Sequence, residues 1–122
     1  MIDNAIFKVG KLQNLPSKIE IEELENGCLD FFIYSTSKPE YSLNFKSTLN
    51  KNDFFNLEIG QEINMSEFID EYDVVVGENG TFYLNSDFNF KINRYVPHSF
   101  LLILSVRTDN TYIYIENEFK LK

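Results

Sequence analysis

The chain has 122 residues and a net charge of −8. This length suits one domain, and 43% hydrophobic with 25% charged residues is typical of a folded globular protein. We therefore expect a single domain over residues 1–122. The excess of acids argues against direct binding of nucleic acid and against adsorption to anionic membranes, because both require a basic surface.

The start of the chain carries no export signal that we can identify. Residues 1–8 contain an early acid and no long apolar run, so they do not resemble a signal peptide. The longest apolar run, 100–104, has five residues, whereas a membrane-spanning helix needs about 20. Cys28 is the only cysteine and cannot form an internal disulfide. We expect a cytoplasmic protein, and the abundance of Asn, Lys, Ile and Phe is typical of low-GC bacteria and their phages.

Apolar and polar residues alternate along most of the chain, which is typical of half-buried strands. The strongest turn signals, in chain order, are Asn26-Gly27, Ser37–Glu40, Asn79-Gly80 and Asp109-Asn110. They divide the chain into about eight to ten short strands. The sequence therefore predicts an all-β fold, mainly an antiparallel β-sandwich or barrel.

Two-residue turns predict the register of each hairpin. With Asp109-Asn110 as the turn, Val106 would face Ile113. With Asn79-Gly80 as the turn, Val75 would face Leu84. Both pairings place apolar residues opposite each other, which favours them.

The first hairpin is less favourable with a two-residue turn. Ile21 would then face Phe32, but Glu23 would face Asp30, and directly opposed like charges are destabilising. We expect either a longer loop or a group that stabilises this acidic pair.

One segment, 65–72, predicts a short helix. Asn64 or Ser66 can cap its start, and Phe68, Ile69 and Tyr72 would give it one apolar face. The segment Thr48–Asp53 is a second candidate for a turn of helix.

The net negative charge resides in one segment, 52–90, which holds nine acids and no Lys or Arg. Within it, Glu67, Asp70 and Glu71 are spaced so that they would share one face of the predicted helix. Concentrated negative charge attracts a basic partner and raises its rate of association. We therefore predict a partner-binding surface that includes Glu58, Glu62, Glu67, Asp70, Glu71, Asp73 and Glu78.

Two further features could contribute to binding. A second group of acids surrounds the first hairpin and comprises Glu20, Glu22, Glu23, Glu25 and Asp30; solubility alone is the simplest explanation for it. Tyr112 and Tyr114 lie beside Arg107 on the polar side of the last strand. Because Tyr and Arg are favoured at interfaces, we include both tyrosines in the predicted partner-binding set.

The residues offer little for catalysis or metal binding. Cys28 and His98 are the only Cys and His, too few for a structural zinc site. The acids over 70–79 lack the glycine and terminal glutamate of an EF-hand loop. We predict no metal, no cofactor and no catalytic residue. A Cys28–His98 nucleophile pair or a carboxylate pair is the enzymatic alternative.

Together these observations predict a small, acidic, non-catalytic protein-binding module. Its most natural role is that of an inhibitor, either an immunity protein or a phage-type inhibitor, that covers a basic surface of a toxin or nucleic-acid enzyme. Carboxylates would there replace phosphates against Arg and Lys. A carbohydrate-binding, ligand-binding or structural β-sandwich module is the alternative, although the absence of Trp argues against sugar binding.

Overall fold

A computed structural model describes residues 5–10, 14–37, 41–76, 81–82, 88–107 and 112–122, with the backbone alone at 71–76, 81–82 and 88. These residues form strands joined by one short helix and one 3₁₀ turn. In chain order the elements are β1 (Ile6–Val9), β2 (Ser17–Glu23), β3 (Cys28–Ser35), β4 (Tyr41–Asn50), α1 (Lys51–Phe55), β5 (Glu62–Asn64), the 3₁₀ turn (Met65–Phe68), β6 (Ile69–Val76), β7 (Thr81–Phe82), β8 (Phe88–Val96), β9 (Ser99–Arg107) and β10 (Tyr112–Lys120).

The strands make two antiparallel sheets. The first sheet has the order β1-β10-β9-β8-β5, and the second has the order β2-β3-β4-β6-β7. Phe31 of β3 meets Phe90 of β8 and Phe119 of β10, with ring centroids 6.0 Å and 5.5 Å apart, so the sheets pack face to face. The predicted all-β, sandwich-like fold is confirmed.

The core lies between the sheets and follows the alternation of the sequence. Burying each large apolar side chain there contributes about 1.5–3 kcal/mol. Phenylalanine rings in the core meet mostly edge to face, which is a favourable aromatic arrangement. The largest fully buried side chains are Phe7, Phe31, Phe45, Phe54, Phe90, Phe100, Leu29, Ile33, Leu43, Met65, Ile92 and Leu102.

The short helix α1 is held in place by its cap and by one arginine. Asn50 Oδ1 accepts from the Asp53 backbone N–H, and Asp53 Oδ2 accepts from the Asn50 backbone N–H. This reciprocal pair is a capping box. Beyond the helix, Arg94 Nη1 donates to the carbonyl oxygens of Phe55 and Leu57 at 2.7 Å and 2.6 Å. These bonds fasten the helix and its exit to β8.

The helix predicted over 65–72 is shorter than expected. Only the 3₁₀ turn Met65–Phe68 forms, capped by Asn64, and β6 begins at Ile69. From Ile69 onward, pairing of β6 with β4 supplies the backbone hydrogen bonds that these residues would otherwise make within a second helical turn. The face that Glu67, Asp70 and Glu71 would share on a helix therefore does not exist.

The register of the last hairpin is confirmed. Val106 pairs with Ile113 and Leu104 pairs with Ile115, although the turn itself, 108–111, lies outside the described residues. The turn signals at 79–80, and those at 38–40, also lie outside them.

The register predicted for the β6–β7 hairpin is wrong. Val75 pairs with Thr81 instead of Leu84, and Val74 pairs with Phe82. Val74 also pairs with the buried Leu43 of β4, so it occupies a core-facing register position. In the observed register the residue opposite Val74 is the aromatic Phe82, whereas the predicted register would have placed a polar residue opposite Val74.

In the first hairpin the loop is longer than two residues. The Leu24 backbone N–H donates to the Cys28 carbonyl, and Gly27 adopts a φ of 86° that closes a three-residue loop. Ile21 consequently pairs with Phe31 and not with Phe32. The predicted clash at Glu23 disappears, but a new acidic pair forms one residue earlier.

Candidate functional site

The outer face of the second sheet carries several acids from strands that are far apart in the chain or adjacent in it. Cross-strand pairing aligns its residues in three rows. The rows are Glu22–Asp30–Lys46–Glu71, Glu20–Phe32–Asn44–Asp73 and Lys18–Tyr34–Ser42–Val75. We call this set the acidic face; at 71, 73 and 75 the backbone register alone defines it.

Alternation along β2, β3 and β4 produces the acidic face. Ile21, Phe31, Ile33, Leu43 and Phe45 point into the core. Their sequence neighbours therefore point outward, since successive side chains in a strand alternate between faces. Four neighbouring strands at about 4.8 Å spacing make the face about 14 Å wide.

Phe32 lies in the middle of this face and is 37% exposed. A surface depression of about 350 Å³ opens beside it. The residues that line the depression are Glu20, Ile21, Glu22, Asp30, Phe32 and Asn44. The Tyr34 ring lies against that of Phe32, with centroids 5.0 Å apart and planes tilted by 31°. An apolar ring is thus open to solvent among three carboxylates.

Hydrogen bonds fix the carboxylates around the depression. The Tyr34 hydroxyl donates to Glu20 Oε1 at 3.0 Å, and Asn44 Nδ2 donates to Asp30 Oδ1 at 2.6 Å. The bond to Glu20, followed by partial burial, raises the pKa of Tyr34 above its ordinary value. An ordinary tyrosine is already protonated at neutral pH, so the Tyr34 hydroxyl can donate this bond there with or without the shift. These bonds orient Glu20 and Asp30, two of the three carboxylates that line the depression.

The acids predicted from the middle segment are divided between several elements. Glu58 lies exposed in the loop after α1, Glu67 lies exposed in the 3₁₀ turn, and Glu62 lies on β5 of the first sheet. Lys91 Nζ is 3.6 Å from Glu62 Oε1, so one of these carboxylates has a cationic neighbour from β8.

The remaining predicted acids follow β6 in the second sheet. Asp70 is exposed at a bulge between the pairs that Ile69 and Glu71 make with β4. Glu71 and Asp73 hold register positions on the acidic face. Glu78 lies outside the described residues. The tertiary structure therefore joins part of the middle segment to the acids of the first hairpin.

Tyr112 and Tyr114 lie on the first sheet and do not belong to the acidic face. Tyr112 is 43% exposed and lies under the Arg107 guanidinium, 5.6 Å from the ring centroid. The Tyr114 hydroxyl donates to Glu116, and this bond, with burial and the charge of Glu116, raises the pKa of Tyr114 to about 12. The two tyrosines therefore define a separate surface.

The candidate nucleophile and base each bond to a backbone carbonyl. Cys28 Sγ lies 3.4 Å from the Thr48 oxygen. His98 Nδ1 lies 3.0 Å from the Leu121 oxygen, and the His98 ring packs against Phe55. Each group thus takes part in a local structural contact.

Sequence reasoning recognised the acids of the first hairpin but did not assign them to partner binding. It missed Phe32 and Tyr34 as surface residues. The available signal was the alternation along the strand 28–35. Phe31 and Ile33 face the core, so Phe32 and Tyr34 lie on the opposite side of the strand, together with Asp30.

Within the described part of the chain, no helix has the length and apolar character that a bilayer-spanning segment requires. Among the same residues, no group of three or more His, Cys, Asp or Glu is arranged to hold a metal ion. The fold and the acidic face define a small antiparallel β-sandwich with one charged, partly aromatic sheet surface. No family model, curated protein or solved structure matches the chain.

Proposed function

We propose that the chain is a small, acidic, non-catalytic binding module that covers a basic surface of another protein in the cytoplasm. One observation carries this proposal: the backbone register aligns acidic positions from two distant parts of the sequence in the same rows of one sheet. Glu20, Glu22 and Asp30 come from the first hairpin, while Glu71 and Asp73 hold register positions there from the acidic segment.

The physical basis is electrostatic complementarity. Carboxylates held on one face attract Arg and Lys side chains over a Debye length of about 10 Å at 0.1 M salt, and so accelerate association with a basic protein. A nucleic-acid enzyme or a nuclease toxin presents such basic residues to phosphate groups. A protein that offers carboxylates in place of the phosphate groups covers these basic residues and keeps nucleic acid away from them. The module therefore acts as an inhibitor, of the immunity or phage type.

The absence of catalysis in this proposal has a local basis. Cys28 and His98 each use a polar atom in a bond to a backbone carbonyl. A nucleophile pair needs the thiol and the imidazole within hydrogen-bond reach of each other. We assign both residues to structural contacts.

Ligand binding by the same face is the second candidate. Phe32 and Tyr34 form an exposed aromatic pair beside carboxylates, and such pairs can support a sugar ring. A sugar is uncharged, so its binding would depend little on salt, whereas binding of a basic protein weakens steeply as ionic strength rises. Salt dependence separates the two functions.

Affinity capture tests the proposed function. The immobilised protein is exposed to lysate from a low-GC bacterium at low ionic strength, and bound proteins are eluted with increasing salt and identified by mass spectrometry. We expect basic proteins, with nucleic-acid enzymes among them, to elute as salt rises. A purified partner should lose its nucleic-acid activity when the module is added in equimolar amount.

Two outcomes would contradict the proposal. Retention of partners that is insensitive to salt would favour the ligand-binding alternative. A purified basic partner that remains fully active when saturated with the module would show that binding does not inhibit it.

A further inference from the structure

The exposed ring of Phe32 has an electrostatic environment that suits a cation. Glu20 lies directly opposite Phe32 across β2, Glu22 is its diagonal neighbour, and Asp30 precedes it by two residues on β3. Such neighbours lie about 4.5–8 Å away between Cβ atoms. The faces of an aromatic ring are themselves negative. Lys18 and Lys46 are also diagonal neighbours of Phe32, on β2 and β4, but neither lines the depression. The ring and the three carboxylates that do line it therefore favour a positive group there.

We propose that this depression receives an arginine side chain of the partner. The guanidinium lies over the Phe32 ring while its N–H groups bond to the carboxylates that line the depression, Glu20, Glu22 and Asp30. This inference rests on the proposed function, because it identifies the chemistry by which a basic partner is recognised. It assigns a central anchor to an otherwise diffuse acidic surface.

Arginine fits this place better than lysine. A guanidinium is planar, stacks on an aromatic ring and still presents its N–H donors sideways to carboxylates. An ammonium group is compact and strongly hydrated, so it cannot stack on the ring and bond to several carboxylates at the same time as a guanidinium does. The depression is lined by the Phe32 ring and by three carboxylates, the two kinds of group that a guanidinium can contact at once.

A second copy of this chain is a poor occupant. Two acidic faces brought together would oppose Glu20, Glu22 and Asp30 to their own equivalents, and like charges in contact cost several kcal/mol. Charge complementarity therefore selects a different, basic chain.

The test uses two short peptides of equal length and charge, one alternating arginine with glycine and the other alternating lysine with glycine. Binding to the full-length protein is measured at low ionic strength, and amide chemical shifts locate the contact. We expect the arginine peptide to bind about three- to fivefold more tightly, as stacking on an exposed ring predicts. The largest shifts should fall on β2 and β3.

Matched variants locate the anchor. Phe32→Ser should abolish the preference for arginine, while Ile59→Ser, which removes another exposed apolar side chain, should leave it unchanged. The triple variant Glu20→Gln, Glu22→Gln, Asp30→Asn should weaken binding at least tenfold. The triple variant Glu58→Gln, Glu67→Gln, Asp70→Asn has the same net charge and should weaken it much less.

Three results would overturn the inference: equal affinity for the two peptides, unchanged preference in Phe32→Ser, or equal losses in the two triple variants. Thermal melting of each variant confirms that it is folded. Since the proposed function is tested by capture and inhibition, it survives if the arginine site is absent. It fails separately if the captured basic partners stay active.

Discussion

Glu22 and Asp30 lie directly opposite each other on β2 and β3. Two like charges in this position destabilise an antiparallel pair. A sheet face with no role beyond solubility could place one lysine here and gain stability. Lys46 of β4 pairs with Asp30 on its other side, but the edge strand β2 contributes Glu22, a second acid in the same row. The proposed basic partner would offset this repulsion, because a cation bound between the two carboxylates is attracted to both.

Glu22→Lys should therefore make the protein more stable and a weaker binder. We expect a gain of about 0.2–1 kcal/mol in the free energy of unfolding, since the new lysine faces Asp30. Urea denaturation measures this gain. Glu25→Lys makes the same change in charge in the adjoining loop and should change stability by less than about 0.5 kcal/mol. Greater stabilisation by Glu25→Lys than by Glu22→Lys would contradict the assigned register.

Phe31 and Phe32 are adjacent but lie on opposite faces of the sheet. Phe31 is fully buried and meets the rings of Phe54, Phe90 and Phe119. Phe31→Ala should cost about 3–5 kcal/mol of stability. Phe32→Ala should cost less than about 1 kcal/mol, because its ring is more than one third exposed. Chemical denaturation of both variants tests the alternation, and similar losses would be inconsistent with it.

Arg94 links β8 to the exit of α1 in a geometry that only a guanidinium satisfies. Besides its bonds to Phe55 and Leu57, it donates from Nε and Nη2 to the Pro97 carbonyl. Arg94→Lys should therefore lower the free energy of unfolding by about 1.5–3 kcal/mol. Arg107→Lys, at an exposed site, should lower it by less than about 0.5 kcal/mol. Equal losses would mean that the four bonds of Arg94 do not stabilise the fold.

Tyr114 should titrate later than an ordinary tyrosine. Its hydrogen bond to Glu116 raises its pKa from 10.0 to about 12 in the folded protein. The protonated hydroxyl is thus favoured by folding, so the stabilisation is complete below pH 10 and is lost as pH rises towards 12. Near-ultraviolet absorbance of tyrosinate measures the titration, and Tyr114→Phe identifies which transition belongs to this residue. Glu116→Gln should move that transition to lower pH; an unchanged titration would exclude Glu116 as the cause.

Much of the fold could be predicted from local patterns. The alternation over 99–106 and 111–119 predicted two paired strands, and the pairing of Val106 with Ile113 followed from a short turn between them. Both steps depend on residues close in sequence. Where a turn signal is ambiguous the same logic fails, as at Asn26-Gly27, because a loop longer by one residue changes every pair in the hairpin.

The helix over 65–72 illustrates a different limit. Of the two candidate caps, Asn64 and Ser66, it is Asn64 that caps the one 3₁₀ turn that forms. The residues from Ile69 onward have a spacing compatible with either structure, and β4 supplied a partner strand that turned them into β6. Local propensity is a weak preference that such tertiary pairing overrides.

The sequence by itself determined that this protein is a β-sheet protein, that its charge is strongly negative, and that it has one cysteine and one histidine. These properties follow from composition and from a period of two, which need no knowledge of distant contacts. Only the tertiary structure decided which side of β2, β3 and β4 faces solvent. That choice set Glu20, Glu22 and Asp30 around Phe32, because the first sheet covers the opposite side and a three-residue loop sets the register of the hairpin that carries all four residues.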